Sequence, residues 1–233
     1  MLYSTLPSSI KKNGLLILLM AFIIHANGQQ TKSVSLKQEN TIPYGVVVKE
    51  VYYKGKNALQ LLQLKDTDLV YTFATIKNIN FHNGTIEAYI SGEPKIGAIA
   101  SARGFVGISF RVSKDTGRAE TFYIRPTNGR AQEQERRNHS LQYISHPGYP
   151  WQLLRKNTPE KYESYADLIP GEWTKIKIEV QDQNARLYIN DAVQPSLIVT
   201  DLKQGKDARG TIALWIAVGT NAYFADLKIN NTD

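Results

Sequence analysis

Arg111, Tyr123 and Arg125 sit at strand spacing within GFVGISFRVSKDTGRAETFYIRP, Gly104 to Pro126. Val106, Ile108, Phe110 and Val112 give the first half of this segment an apolar face. Phe122 and Ile124 do the same for the second half. Successive side chains in a strand point to opposite faces, so the pattern predicts a hairpin covered on one side. Arg111, Tyr123 and Arg125 then share the other face. A guanidinium is a planar fork that matches carboxylates, sulfates and vicinal hydroxyls. A tyrosine adds a flat ring and a hydroxyl. This is equipment for holding a polar ligand. Glu87 and Tyr89, on the strand-like TIEAYI, are expected to join that face. There Glu87 either orders the arginines or works as an acid or base.

A second group lies between Arg136 and Arg155: Arg136, Arg137, Asn138, His139, Gln142, Tyr143, His146, Tyr149, Trp151 and Arg155. Long polar and aromatic loops on a rigid scaffold often carry function. Trp151 and Tyr149 offer stacking surfaces. His139 and His146 can exchange protons near neutral pH. The structural alternative is a lid that buries its own aromatics against a sheet.

Other chemistry is missing its parts. No His/Cys metal motif, nucleophile elbow or phosphate loop occurs. Asp66, Asp68 and Asp226 offer fragments of a structural Ca²⁺ site without a full ligand loop. Asn83-Gly84-Thr85 and Asn138-His139-Ser140 fit the glycosylation sequon. The formal charge is +7, and the densest basic cluster, Arg130, Arg136 and Arg137, is interrupted by Glu133 and Glu135. A nucleic-acid binder concentrates its basic residues in a stripe or patch, so nucleic acid is not the expected partner.

The elements that must position these residues are short and numerous. Alternating runs recur across Tyr44–Tyr53, Leu69–Ile76, Trp173–Val180, Ala185–Asn190, Thr211–Val218 and Ala222–Ile229, with turn residues between them. Ala58–Leu64 reads as a strand or a short helical turn. No long amphipathic helix appears. The pattern predicts an all-β, antiparallel two-sheet sandwich in one domain spanning 44–233, after a polar, flexible lead-in at 29–43. Before it, Lys11 and Lys12 precede GLLILLMAFIIHA and the small-residue exit Ala26-Asn27-Gly28. These predict an export signal over 1–28 and a secreted or periplasmic protein. The apolar run is shorter than the ~20 residues of a membrane span. Cysteine is absent, so the core and the sheet ladders must hold the fold without disulfides.

The order of the pieces resembles the concanavalin A-like lectin/glucanase superfamily, of the laminin-G kind. The resemblance runs through Gly84–Ala88, Gly104–Arg111, Phe122–Pro126, Gln142–Tyr143, Trp173–Val180, Ala185–Ile189 and Gly210–Ile229. Gly107–Arg111 is also similar to a strand of the 3-keto-disaccharide hydrolase domains. The resemblance implies a jelly roll, two curved sheets packed face to face, with ligands on the concave sheet or its rim. It implies an exported carbohydrate-binding domain whose ligand is a polysaccharide, with an acidic one suggested by the arginines. Arg111, Tyr123, Arg125, Arg137, His139, Gln142, Tyr143 and Trp151 would hold it. Two other readings stay open: a glycoside hydrolase or polysaccharide lyase, with Glu87 and His146, or Tyr123 and His139, as acid/base candidates, and an envelope module that binds protein. The paired-carboxylate strand of the family-16 glucanases is absent.

Overall fold

β-Branched and aromatic runs set the local structure, and ladder partners far away in the chain complete it. The computed structural model describes residues 1–2, 32–64 and 72–232. Residues 3–28 of the expected export signal, and Asp66 and Asp68, lie outside the described residues. In chain order the strands are β1 (Lys32–Ser33), β2 (Thr41–Tyr44), β3 (Val46–Tyr53), β4 (Lys56–Gln63), β5 (Thr72–Ile76), β6 (Gly84–Pro94), β7 (Val106–Val112) and β8 (Ala119–Ile124). They continue as β9 (Leu141–His146), β10 (Glu163–Ser164), β11 (Thr174–Gln181), β12 (Asn184–Ile189), β13 (Leu197–Val199), β14 (Thr211–Ile216) and β15 (Thr220–Asn231). Two short helices, α1 (Gln134–Asn138) and α2 (Trp151–Asn157), flank β9.

The strands form two antiparallel sheets, the expected all-β sandwich of jelly-roll type. One sheet runs β13-β12-β11-β6-β15-β4-β3, with β1 added alongside β15. The other runs β10-β9-β8-β7-β14-β5-β2. The inner faces meet in one core. Ile86, Ile90, Ile178, Leu59 and Phe224 come from the first sheet; Ile108, Phe110, Phe122, Leu141 and Leu214 come from the second. Burying each such side chain stabilises the fold by about 1.5–3 kcal/mol before conformational entropy is counted.

Two expectations change. Ala58–Leu64 is no helical turn: β4 pairs with β3 around Lys54 and Gly55, both at positive φ. That backbone suits a two-residue hairpin turn. The lead-in is also ordered where it is described. Ile42 pairs with Thr75 on the edge of the second sheet, and Lys32 pairs with Ile229. The ladder partners that fix these short strands lie 33 residues or more away, so distant pairing and not a local period orders the segment.

Candidate functional site

Arg125 anchors the site. It follows β8 and starts a 3-10 turn whose first helical residue is Pro126, a position that suits proline's fixed φ. Its side chain is almost wholly buried on the outer face of the second sheet, at the β8–β9–β10 edge. Nη2 donates to the Tyr123 hydroxyl at 2.8 Å and to Gln142 Oε1 at 3.0 Å. Nη1 donates to the His139 carbonyl at 2.9 Å and reaches Glu163 Oε1 at 3.4 Å. Tyr123, Gln142 and Glu163 lie side by side because β8, β9 and β10 bring them into cross-strand register.

Glu163 is the hub beneath the site. Arg155 donates to both of its carboxylate oxygens, Nε to Oε2 at 2.9 Å and Nη2 to Oε1. His139 Nδ1 stands 3.0 Å from Oε2. That contact is an electrostatic approach without hydrogen-bond alignment, since Nδ1 has no well-directed partner. Burial lowers the His139 pKa; the Glu163 charge works against this, and Arg155 and Arg125 reinforce it. Arg155 is four residues after Trp151 on α2, one helical turn on, so the two share a face. The Arg155 guanidinium lies 4.6 Å from the Trp151 ring centroid, and that of Arg125 lies 5.7 Å away. Both are cation–π distances.

Above this floor is a pocket of about 340 Å³ lined by Arg103, Phe105, Asn128, Arg136, Trp151 and Arg155, with Arg125 and His139 at its base. Burial, then the like charges of Arg136 and Arg125, push the Arg103 guanidinium below its usual pKa. Gly104, at φ 70°, makes the turn between Arg103 and Phe105. A Cβ there would come within 2.8 Å of the Glu93 backbone. The pocket therefore joins Arg125, from the hairpin, to the His139–Arg155 loop. Those were two separate groups in the sequence.

The remaining candidates are dispersed. Arg111 is fully buried at the far end of β7, with φ 51°. It donates to the carbonyls of His82 and Gly205 and to Asn83 Oδ1. Strand register puts it about six residues, roughly 20 Å, from Arg125. It clasps loops and does not share the Arg125 pocket. Tyr143 faces the core; its hydroxyl donates to Glu120 Oε2 at 2.5 Å and accepts from the Lys203 amide. Burial and the Glu120 charge push its pKa up. Gln142 supports Arg125 and has no open face. Arg137 turns outward onto Tyr165, with Nη2 donating to its hydroxyl at 2.7 Å. Glu87 sits on β6 in the other sheet, 3.6 Å from Lys175. His146 ends β9 four residues, about 13 Å, beyond Gln142. Glu87 and His146 thus cannot act as one acid–base pair in the pocket. Asp226 is tied to Lys56 at 2.6 Å. Among the described residues no group of three or more His, Cys, Asp or Glu can hold a metal ion.

Arg103, Phe105, Asn128 and Glu163 belong to the site and carry no signal that sequence spacing reveals. Glu163 lies on a two-residue strand, too short for a period. Arg103 precedes a hairpin whose own pattern draws attention away from it.

No family model matches the chain, and no curated protein matches it. Solved structures do. A Bacillus subtilis carbohydrate-binding module of family 66 superposes with a TM-score of 0.52 at 13% identity, over 82% of this chain and 96% of that one. A candidate glycosyl hydrolase from Parabacteroides distasonis superposes with a TM-score of 0.53 at 14% identity, over 87% and 99%. At these identities the likeness is one of fold. That fold is an antiparallel two-sheet β-sandwich of jelly-roll type, the architecture that the sequence resemblance implied.

Proposed function

We propose that this protein is an exported carbohydrate-binding domain that holds a glycan in the arginine pocket. The observation that carries the reading is the convergence of four guanidiniums, Arg103, Arg125, Arg136 and Arg155, with the Trp151 indole around one pocket. Trp151 is 37% exposed, an uncommon degree for so large a ring, and it presents a stacking surface to a sugar. Three carboxylates, Glu163, Glu135 and Glu133, stand against the four arginines, which leaves the site net positive and favours an acidic glycan. The sandwich relatives include a carbohydrate-binding module, which supports the sugar reading at the level of fold. Export rests on the basic-apolar-small pattern of residues 1–28. Among the described residues no helix is long and apolar enough to cross a membrane.

Binding is favoured over turnover because Glu163 is already engaged by Arg125 and Arg155 and lies nearly out of solvent. The test is retention of the purified protein on neutral, uronic and sulfated polysaccharides, with reducing ends and unsaturated products assayed in parallel. The expected result is retention without products. Trp151→Ala should weaken it about tenfold or more, the loss of roughly 1.4 kcal/mol of stacking. Its melting temperature should hold. Retention that survives Trp151→Ala, or none on any polysaccharide, would remove the pocket as the site.

A further inference from the structure

The four arginines of the pocket are not equivalent. Arg125 uses both terminal nitrogens on protein acceptors, and Glu163 balances it. Arg155 is spent on the same carboxylate. The other wall is different. Arg103 donates Nη1 to the carbonyls of Ala100 and Ala102, and its strongest charge neighbours are Arg136 and Arg125, both of like sign. Arg136 meets Glu133 at 3.3 Å through Nη1, while its Nε is buried without a hydrogen-bond partner. Beside them, Asn128 is 5% exposed. Its amide donates to the His139 carbonyl, and its Oδ1 has no partner. A buried unpaired acceptor is costly, and so is a buried unpaired guanidinium N–H.

We infer that Arg103 and Arg136 form an oxyanion subsite that reads a charged substituent on the bound sugar, while Asn128 Oδ1 accepts one of its hydroxyls. This rests on the glycan reading of the same pocket. Arg125 and Arg155 are positioning residues: with Glu163 they fix the floor and the Trp151 ring. The ligand is a sugar carrying a carboxylate or a sulfate ester. Its ring lies against Trp151, and its anion turns toward the pair of arginines whose charge the protein leaves least compensated. Such a fork-to-oxyanion contact is charge-assisted and directional, so replacing guanidinium by ammonium costs geometry even where charge is kept.

The experiment is calorimetric titration with oligosaccharides matched in length: a neutral galactan, its uronate counterpart and its sulfated counterpart. Wild-type protein should bind at least one charged form about tenfold more tightly than the neutral one, a factor worth about 1.4 kcal/mol. Whichever charged form wins identifies the anion. Arg136→Gln, at a partly exposed position, and Arg103→Lys, which keeps the charge, should each erase most of that preference. Each variant should lose far more affinity for the charged sugar than for the neutral one, and the melting temperature should stay as it was. Full preference in both variants would overturn the inference, as would equal binding of neutral and charged sugars by wild-type protein; the glycan reading would survive either outcome. Failure to bind any of the three, together with failure on the polysaccharide panel, would remove both.

Discussion

His139 illustrates how one side chain couples the site to pH. Burial holds the imidazole neutral, Glu163 opposes that, and the flanking Arg155 and Arg125 reinforce it, so its pKa lies below the ordinary 6.5. The sign for folding follows. The unfolded chain takes up this proton as pH falls through 6.5, and the folded chain takes it up only lower. The unfolded state therefore binds more protons in that window, and stability drops as pH falls across it. His146, lowered by burial, adds in the same direction. The sign for binding is the opposite. An anionic sugar in the pocket favours the imidazolium, so its affinity should rise as pH falls below 6.5. Titrations between pH 5.5 and 8 should show that rise, and His139→Gln should flatten it. A wild-type affinity independent of pH would count against an anion beside His139. The residue was visible in the sequence as a proton-exchanging candidate. Its controlling partner, Glu163, was not, because 24 residues and a helix separate the two.

Strands decide which side chains can meet, and here alternation was both a good guide and an incomplete one. Gln142 and Tyr143 are neighbours, so one must face out and the other in. The period alone forbids their sharing a face, and Tyr143 is the one in the core. The case of Arg111 was not legible. The β7–β14 ladder shifts register between Thr211 and Ala213, and Arg111 takes a positive φ that breaks the alternation. Its acceptors come from loops up to 94 residues away. Gly107 shows the opposite situation, a local residue with a readable consequence. It lies between Tyr123 and Trp215 across three strands, and their rings close over it to 4.7 Å between centroids. A Cβ at 107 would sit 2.2 Å from the Phe122 carbonyl and 2.5 Å from the Tyr123 Cβ. Gly107→Ala should therefore cost about 1–3 kcal/mol or more, read as a lower denaturation midpoint with unchanged slope. Tyr143→Phe should cost about 1–3 kcal/mol by the same measurement. It removes a buried donor from Glu120 Oε2 and the acceptor of the Lys203 amide. Glu120, whose pKa burial already raises against its hydrogen bonds, would rise further.

At the scale of the whole molecule, the two sheets give the protein two unlike outer surfaces, and only one carries the pocket. Strand content and the sandwich class followed from composition and period, because both depend on local alternation. Strand order did not. β6 lies between β11 and β15, and β14 lies between β7 and β5, pairings set by global packing that a period of two cannot encode. That is why Glu87 was grouped with Arg125 when the sandwich separates them. Glu87 faces outward from the first sheet among Lys56, Lys175, Lys228 and Asp226. Arg125 faces outward from the second. Stacked sheets are about 10 Å apart before side chains are added, so the two surfaces are screened from each other by the core and by solvent ions. Glu87→Gln should accordingly leave glycan retention, charge preference and the pH profile unchanged. Its expected effect on stability is small, within about 1 kcal/mol, because its contact with Lys175 is long at 3.6 Å and only half-buried, and Lys175 keeps Asp191 at 2.5 Å. If Glu87→Gln abolished retention, or removed products formed by wild-type protein, the functional surface would be the lysine-rich face of the first sheet. The arginine pocket would then be a structural network.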